Sequence, residues 1–246
     1  MYHGSREAYK NFTLRMVIAI SMQKLDTKFA GLADSYYLAA LPYLALAMEP
    51  MNLGTLQCFA LIAQYSQVTP TRTASYWIVG SASRLCQELG ISEEATIGLA
   101  SGRPPFSALE IDMRRRLFWI ITSMEMGLAH SLGRPSAFGA SFDHIDVKLY
   151  EPLDDCFITS SGVLAQNTPS NKKCISIHFM KMRLLQAEMR RKLYLTKRLE
   201  PKDDQDPWFV TMQQKLKDWL SASPKDDKGS GLNETWYVKF FYPSFW

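Results

Sequence analysis

The chain of 246 residues offers few side chains whose types and spacing could do chemistry. Its four histidines (His3, His130, His144, His178) and four cysteines (Cys58, Cys86, Cys156, Cys174) are scattered. Cys174 and His178 stand four apart in a helical stretch, so both could face one metal ion. Two ligands fall short of the four that structural zinc takes, and no second pair accompanies them. No metal site is expected. Acidic pairs at Glu93-Glu94 and Asp154-Asp155, and Asp143 near Asp146, could share acid–base work. That work needs two carboxyls in unlike environments inside a pocket, whereas adjacent acids in a polar loop are ordinarily solvated. There is no P-loop, GxGxxG, GxSxG or HExxH, and Gly98-Leu99-Ala100-Ser101-Gly102 places its serine one position late for a nucleophile elbow. Neither a catalytic residue nor an enzyme is expected.

Arginines carry more information. Arg114-Arg115-Arg116 opens a helix, where the dipole favours acids instead. Leu117-Phe118-Trp119 follows at once, so some guanidinium groups must lie near the buried side. Arginines held there pair with carboxylates or loop carbonyls. The candidate partners are Glu125, Asp143, Asp146, Asp154 and Asp155, and a structural ion-pair network is expected in preference to an anionic-effector site. Further on, Arg183, Arg190 and Lys197 recur every seven residues on one stripe. Such a stripe could meet phosphates. Without interleaved aromatics or base-reading amides, it reads as the solvated face of an amphipathic helix.

The elements that must position these residues are helical almost throughout. Phe12, Met16, Ala19, Ile20 and Gln23 fit one face of a first helix. Phe29 to Met48 reads as a second, mostly buried helix that Pro42 kinks or splits. Leu56, Phe59, Ala60 and Ala63 line a third, and Ile78, Ala82, Leu85 and Leu89 a fourth that Gly90 ends. Ser107 and Glu110 form a capping box before the stripe Met113, Leu117, Ile121, Met124, Leu128, and Gly133 stops it. Residues 134–173 show no helical period and form a long irregular loop. Ile175, Phe179, Met182, Leu185, Met189 and Leu193 resume the pattern, and Asp206-Pro207 opens a last helix through Trp219. No strand pair with a hairpin turn is convincing. The expected fold is all-α, stacked antiparallel helices around that loop.

Composition agrees: 47% of residues are apolar and 21% charged, which excludes disorder and easily supplies a core. The net charge of +4 does not by itself argue for nucleic acid. The longest apolar run, Tyr36 to Met48, is about half the ~20 residues a membrane span needs, and no signal segment is recognisable. A soluble intracellular protein without membrane partners is expected, its thiols reduced and buried as small hydrophobes.

Five stretches in order carry a resemblance. They are Leu53 to Tyr65, Trp77 to Ile91, Arg114 to Trp119, Gly133-Arg134-Pro135, and Asp143-His144-Ile145-Asp146-Val147. Together they resemble the middle homology, or regulatory, region of fungal binuclear zinc-cluster transcription factors. The match covers residues 11–155 well and continues weakly to Trp219. Residues that fall on the family's motifs are Trp77, Gly80, Arg84, Gly90, Arg114, Arg115, Arg116, Trp119, Glu125, Gly133, Arg134, Pro135, Asp143 and Asp146. Departures are Ser92 where the family has histidine, and Glu125-Met126 where it has an Asp-Arg pair.

The resemblance implies a nuclear regulatory domain spanning residues 1–220, with 221–246 as a polar linker and truncated aromatic tail of the same domain. It implies no cofactor in this chain. Zinc and DNA contact would belong to the family's N-terminal six-cysteine cluster, which four distant cysteines cannot build. Implied partners are therefore DNA only indirectly, a homodimer, the transcription machinery, and a small-molecule effector. The alternative is a helical protein-interaction scaffold that competes with a full-length relative.

Overall fold

In a computed structural model, the structure describes residues 3–99, 105–136, 138, 145–160, 162–164, 168–195, 203 and 205–224. The fold is all-α, as expected. The chain forms two units: Met1–Ser101 with Met113–Lys148, and Gly102–Asp112 with Leu149–Trp246. The aromatic tail and Lys197 lie outside the described residues.

In the first unit, α1 (His3–Leu25) packs against α2 (Ala30–Ala40), α3 (Leu44–Met48) and α4 (Leu53–Val68), and α4 packs against α5 (Ser75–Glu88). Phe12, Met16 and Ala19 are fully buried, so the expected face of α1 is the one that meets its neighbours. Pro42 splits the second helix: α2 ends at Ala40, and a 3-10 turn over Leu41–Tyr43 leads into α3. A proline ring cannot follow an unbroken helical ladder. This segment is not mostly buried. Only Ala33, Tyr37, Ala40 and Ala47 are, while Leu32, Leu38 and Leu46 are 46–52% exposed. Tyr37 stacks on Tyr65 of α4 with ring centroids 4.4 Å apart. Asn52 caps α4 by accepting from the amides of Gly54 and Thr55 at 2.8 and 3.3 Å.

Past α5, Gly90 adopts φ +63°, where a side chain would be strained. Residues 94–97 then form a helix, α6 (Glu94–Ile97), too short to leave a helical period in the sequence. α7 (Ala108–Leu132) opens with the expected capping box: Ser107 N–H donates to Glu110 Oε2 at 2.8 Å, and Glu110 N–H donates back to Ser107 Oγ at 3.3 Å. Its buried set is far broader than one stripe, taking in Asp112, Leu117, Phe118, Trp119, Ile121, Thr122, Glu125, Met126 and Ala129.

The second unit is built on α8 (Asn171–Arg190), continued by a π-helical turn over Arg191–Leu195, and α9 (Pro207–Ser221), which packs against α8. Asp206 caps α9, accepting from Trp208 N–H at 2.8 Å, and Pro207 takes the first helical position. Met182 and Trp219 form its core, with Phe179, Leu185, Leu216 and Leu220 packed around them. Two strand pieces, β1 (Ile158–Thr159) and β2 (Gly162–Val163), pair antiparallel inside the long loop. They correct the expectation of no hairpin. At two residues each, they are too short to leave an alternating pattern in the sequence. Arg183 is half-buried and donates to Gln186 at 2.8 Å, so the α8 stripe is not simply a solvated face.

Cys58 and Cys86 are buried thiols pushed up to about 12 by desolvation, whereas Cys156 is exposed and Cys174 half-buried. His178 is 5% exposed and stacks on Trp219 at 4.2 Å. Burial, and then the nearby Lys181 charge, lower its pKa from 6.5 to about 4. The unfolded chain therefore takes up a proton on this residue as pH falls through 6.5, while the folded chain does so only near 4. Stability contributed by neutral His178 is thus expected to be complete above that window and to decline across it. Urea unfolding from pH 7.5 to 4 checks this. His178→Phe, which keeps a ring on Trp219 but cannot titrate, should flatten that slope.

Candidate functional site

The motif residues of the first unit converge on Glu94, the first residue of α6. Its carboxylate accepts a two-pronged bond from Arg115: Nε at 3.2 Å to Oε2, with Nη2 on Oε1. Oε2 also accepts from Lys148 N–H at 3.0 Å. Glu94 N–H in turn donates to Asp146 Oδ1 at 3.1 Å. Trp119, one helical turn beyond Arg115 and 4% exposed, donates from Nε1 to Lys148 O at 3.0 Å. The segment 145–148 is therefore stapled to α6 and α7 through both backbone and side chains. Helical spacing explains why: residues four apart lie on one face, so Arg115 and Trp119 reach the same strip of chain. Arg114 Nη1 donates to Leu89 O at 3.4 Å, beside Gly90. Thr96 Oγ1 donates to Gly90 O at 2.8 Å, closing the turn from α5 into α6.

Burial alone would raise the Glu94 carboxyl. The hydrogen bonds from Arg115 and Lys148, with their charges, outweigh it and hold Glu94 below the usual carboxylate range. Glu93 is exposed, so the two acids expected to be a solvated pair have different fates. Glu94 replaces the expected acids as the Arg115 partner because α6 turns it back toward α7. Asp146 serves as an amide acceptor instead. Asp155 pairs with Lys173 at 2.9 Å. Asp143 lies outside the described residues.

At the other end of α7, Gly133 adopts φ +62° and lets Arg134 N–H close back onto Ala129 O at 3.1 Å. The Arg134 guanidinium lies 5.0 Å over the Tyr76 ring, and Tyr76 hydroxyl donates to Pro135 O at 2.9 Å. Ser136 Oγ donates to Glu125 Oε2 at 2.7 Å, and Glu125 is 3% exposed. The Gly133-Arg134-Pro135 motif thus docks the end of α7 on α5. Tyr76, which makes both contacts, was not singled out by sequence. Its position beside Trp77 was the available signal.

Trp77 itself behaves differently. It is 65% exposed, Arg84 is exposed on the same side of α5, and a Cβ on Gly80 between them would meet nothing within 4 Å. Trp77→Ala is expected to change unfolding free energy by less than about 0.5 kcal/mol, as exposed substitutions do. Chemical denaturation checks it, and a cost above about 2 kcal/mol would mean the ring is packed in solution. Sequence also missed Asp112, 2% exposed, which accepts from Glu151 N–H at 2.6 Å and lies 3.8 Å from Lys173 Nζ. Among the described residues, no group of three or more metal-ligating side chains converges.

A family model described as "Fungal specific transcription factor domain" matches residues 3–221. The chain is similar to pyrimidine pathway regulatory protein 1 of Saccharomyces cerevisiae, 27% identical over 92% of this chain and 26% of that protein. It is 33% identical to a negative regulator of pleiotropic drug resistance of Candida glabrata, over 51% of this chain and 13% of that protein. A positive regulator of purine utilization from Emericella nidulans is 28% identical over 63% of this chain and 18% of that protein. The chain thus spans about a quarter or less of the length of these relatives. No solved structure matches it significantly. With nearly every helix inside the matched span, the chain belongs to the fungal specific transcription factor domain family.

Proposed function

We propose that residues 1–220 act as the regulatory domain of a fungal zinc-cluster type transcription regulator, with zinc and DNA contact made by a module other than these residues. The observation that carries this reading is how the most basic motif is used. Arg115 is bound to Glu94 and Arg114 reaches the Leu89 carbonyl, so these two arginines of the triplet hold segment 145–148 and the α5–α6 turn in place. Arginines engaged within the fold in this way are poorly placed to neutralise DNA phosphates. The names of the relatives as regulators support the same reading. Such a domain works in the nucleus, touches DNA only through its partner module, and contacts a second copy, the transcription machinery or an effector. Among the described residues, no helix is long and apolar enough to cross a membrane.

Two experiments test it. Fused to an unrelated DNA-binding domain in a fungal host, the chain should change reporter output several-fold relative to that domain alone. The isolated chain should give no sequence-selective shift of duplex DNA at physiological salt, and a nanomolar selective shift overturns the proposal. A second reading, a helical scaffold that competes with a full-length relative, draws on the exposure of Trp77. It requires a concentration-dependent oligomer that Trp77→Ala weakens in sedimentation.

A further inference from the structure

The second unit contains a cleft of about 720 Å³, a volume within the range of small-molecule sites. Its walls follow from helical spacing. Cys174, Ile177, His178, Lys181, Leu184 and Leu185 recur at three- and four-residue steps along α8, so they share one face. From α9, Trp219 and Ala222 face the same space, and Leu149 and Pro152 close it from the preceding segment. The stacked rings of His178 and Trp219, nearly parallel at 16°, provide a flat aromatic wall. Trp219 Nε1 donates to His178 O at 2.9 Å, which fixes that wall rigidly.

Charge in the cleft is unevenly committed. Lys215 is bound to both oxygens of Glu188, at 2.7 and 2.9 Å. Asp218 accepts from the Gln214 amide at 2.7 Å. Lys181, an exposed residue of the lining, makes no ion pair among the described residues. An apolar cavity with one uncommitted cation at its edge has a definite preference. It takes a ligand whose body leaves water against Ile177, Leu184, Leu185 and Trp219 while an anionic head stays half-solvated beside Lys181. The Asp218 carboxylate makes the α9 side less welcoming to that head and orients the ligand.

We propose that this cleft binds a small amphipathic monoanion, an apolar or aromatic body with a terminal carboxylate or similar group, anchored by Lys181. Its regulatory meaning rests on the function proposed above, whereas the binding itself does not. His178 is neutral throughout the physiological range, so the aromatic wall beside Lys181 adds no charge of its own.

The test uses the whole chain and three probes of one shape: 4-phenylbutyrate, 4-phenylbutan-1-ol and 4-phenylbutylamine. Binding is followed by NMR of the His178 ring, with circular dichroism to confirm folding of each variant. The carboxylate should shift the His178 signals and bind more tightly than the amine. Lys181→Met keeps the stem and removes the charge, so it should weaken the carboxylate about three- to fivefold, as a part-exposed ion pair would, and leave the alcohol unchanged. Ile177→Trp, which fills the cleft, should abolish binding of both. The proposal is overturned if no probe binds the wild-type chain, if Lys181→Met leaves the carboxylate affinity unchanged, or if binding survives Ile177→Trp. The reporter fusion reads the regulatory function without any probe, so the two proposals fail separately.

Discussion

Replacing Trp219 with alanine is expected to destabilise the second unit by about 3–5 kcal/mol, the range for truncating a buried aromatic side chain. Trp219 is 7% exposed and one of two residues at the centre of that core, the other being Met182. Three separate losses add up. The indole leaves a cavity between Phe179, Leu185, Leu216 and Leu220, His178 loses its stacking partner, and the Nε1 donor to His178 O disappears. Trp219→Phe separates them, because it restores a ring against His178 but not the donor. Its cost should be about 1–2 kcal/mol, near that of one hydrogen bond plus a small void. Denaturant unfolding with amide exchange along α8 checks both values. An alanine cost below about 1 kcal/mol would mean that α8–α9 packing does not hold this unit.

That core was partly legible in sequence, and the reasons are local. Met182 and Leu185 fell on the α8 period, and Asp206-Pro207 marked the start of α9, because a capping carboxylate and a proline at the first position act within one turn. Pro42, Gly90 and the Ser107–Glu110 box were equally readable, since each acts through its own backbone geometry. What escaped needed partners distant in sequence. Ala- and Leu-rich composition suggested a buried Phe29–Met48 segment, yet composition cannot say how many faces a neighbour covers, and several leucines there face water. α7 erred the other way. Its stripe implied one inner face, while Asp112, Thr122 and Glu125 are buried on others. Buried carboxylates are stable only where specific donors meet them. Asp112 has the Glu151 amide and Glu125 has the Ser136 hydroxyl, 39 and 11 residues away, and no periodicity encodes such pairings. The arginine triplet was recognised as a set of ionic anchors, but α6, which delivers Glu94 to Arg115, is too short to leave a pattern.

Glu94→Ala is expected to cost about 2–3 kcal/mol and to release segment 145–148. A fully buried pair broken on one side costs about 3–5 kcal/mol. Arg115 and Glu94 keep 19% and 20% side-chain exposure, so water repays part of that. The alanine variant strands the Arg115 guanidinium and leaves Lys148 N–H without its acceptor. Glu94→Gln retains an oxygen for Lys148 and removes the charge, so it should cost about half as much. The pH dependence has a fixed sign. Because the folded pKa of Glu94 lies below its unfolded value of about 4.3, its contribution is complete above that value and fades as pH falls through the folded one. The stability difference between wild type and Glu94→Gln should therefore be constant from neutral pH down to about pH 5 and shrink below about pH 4. The His178 window lies higher, between 6.5 and about 4, and the comparison made in a His178→Phe background removes it. Amide exchange locates the effect, since Lys148 N–H should exchange faster in Glu94→Ala while Trp119 Nε1 still holds that residue's carbonyl. Unchanged Lys148 exchange would mean that Trp119 alone positions the segment and that the arginine motif serves some other end.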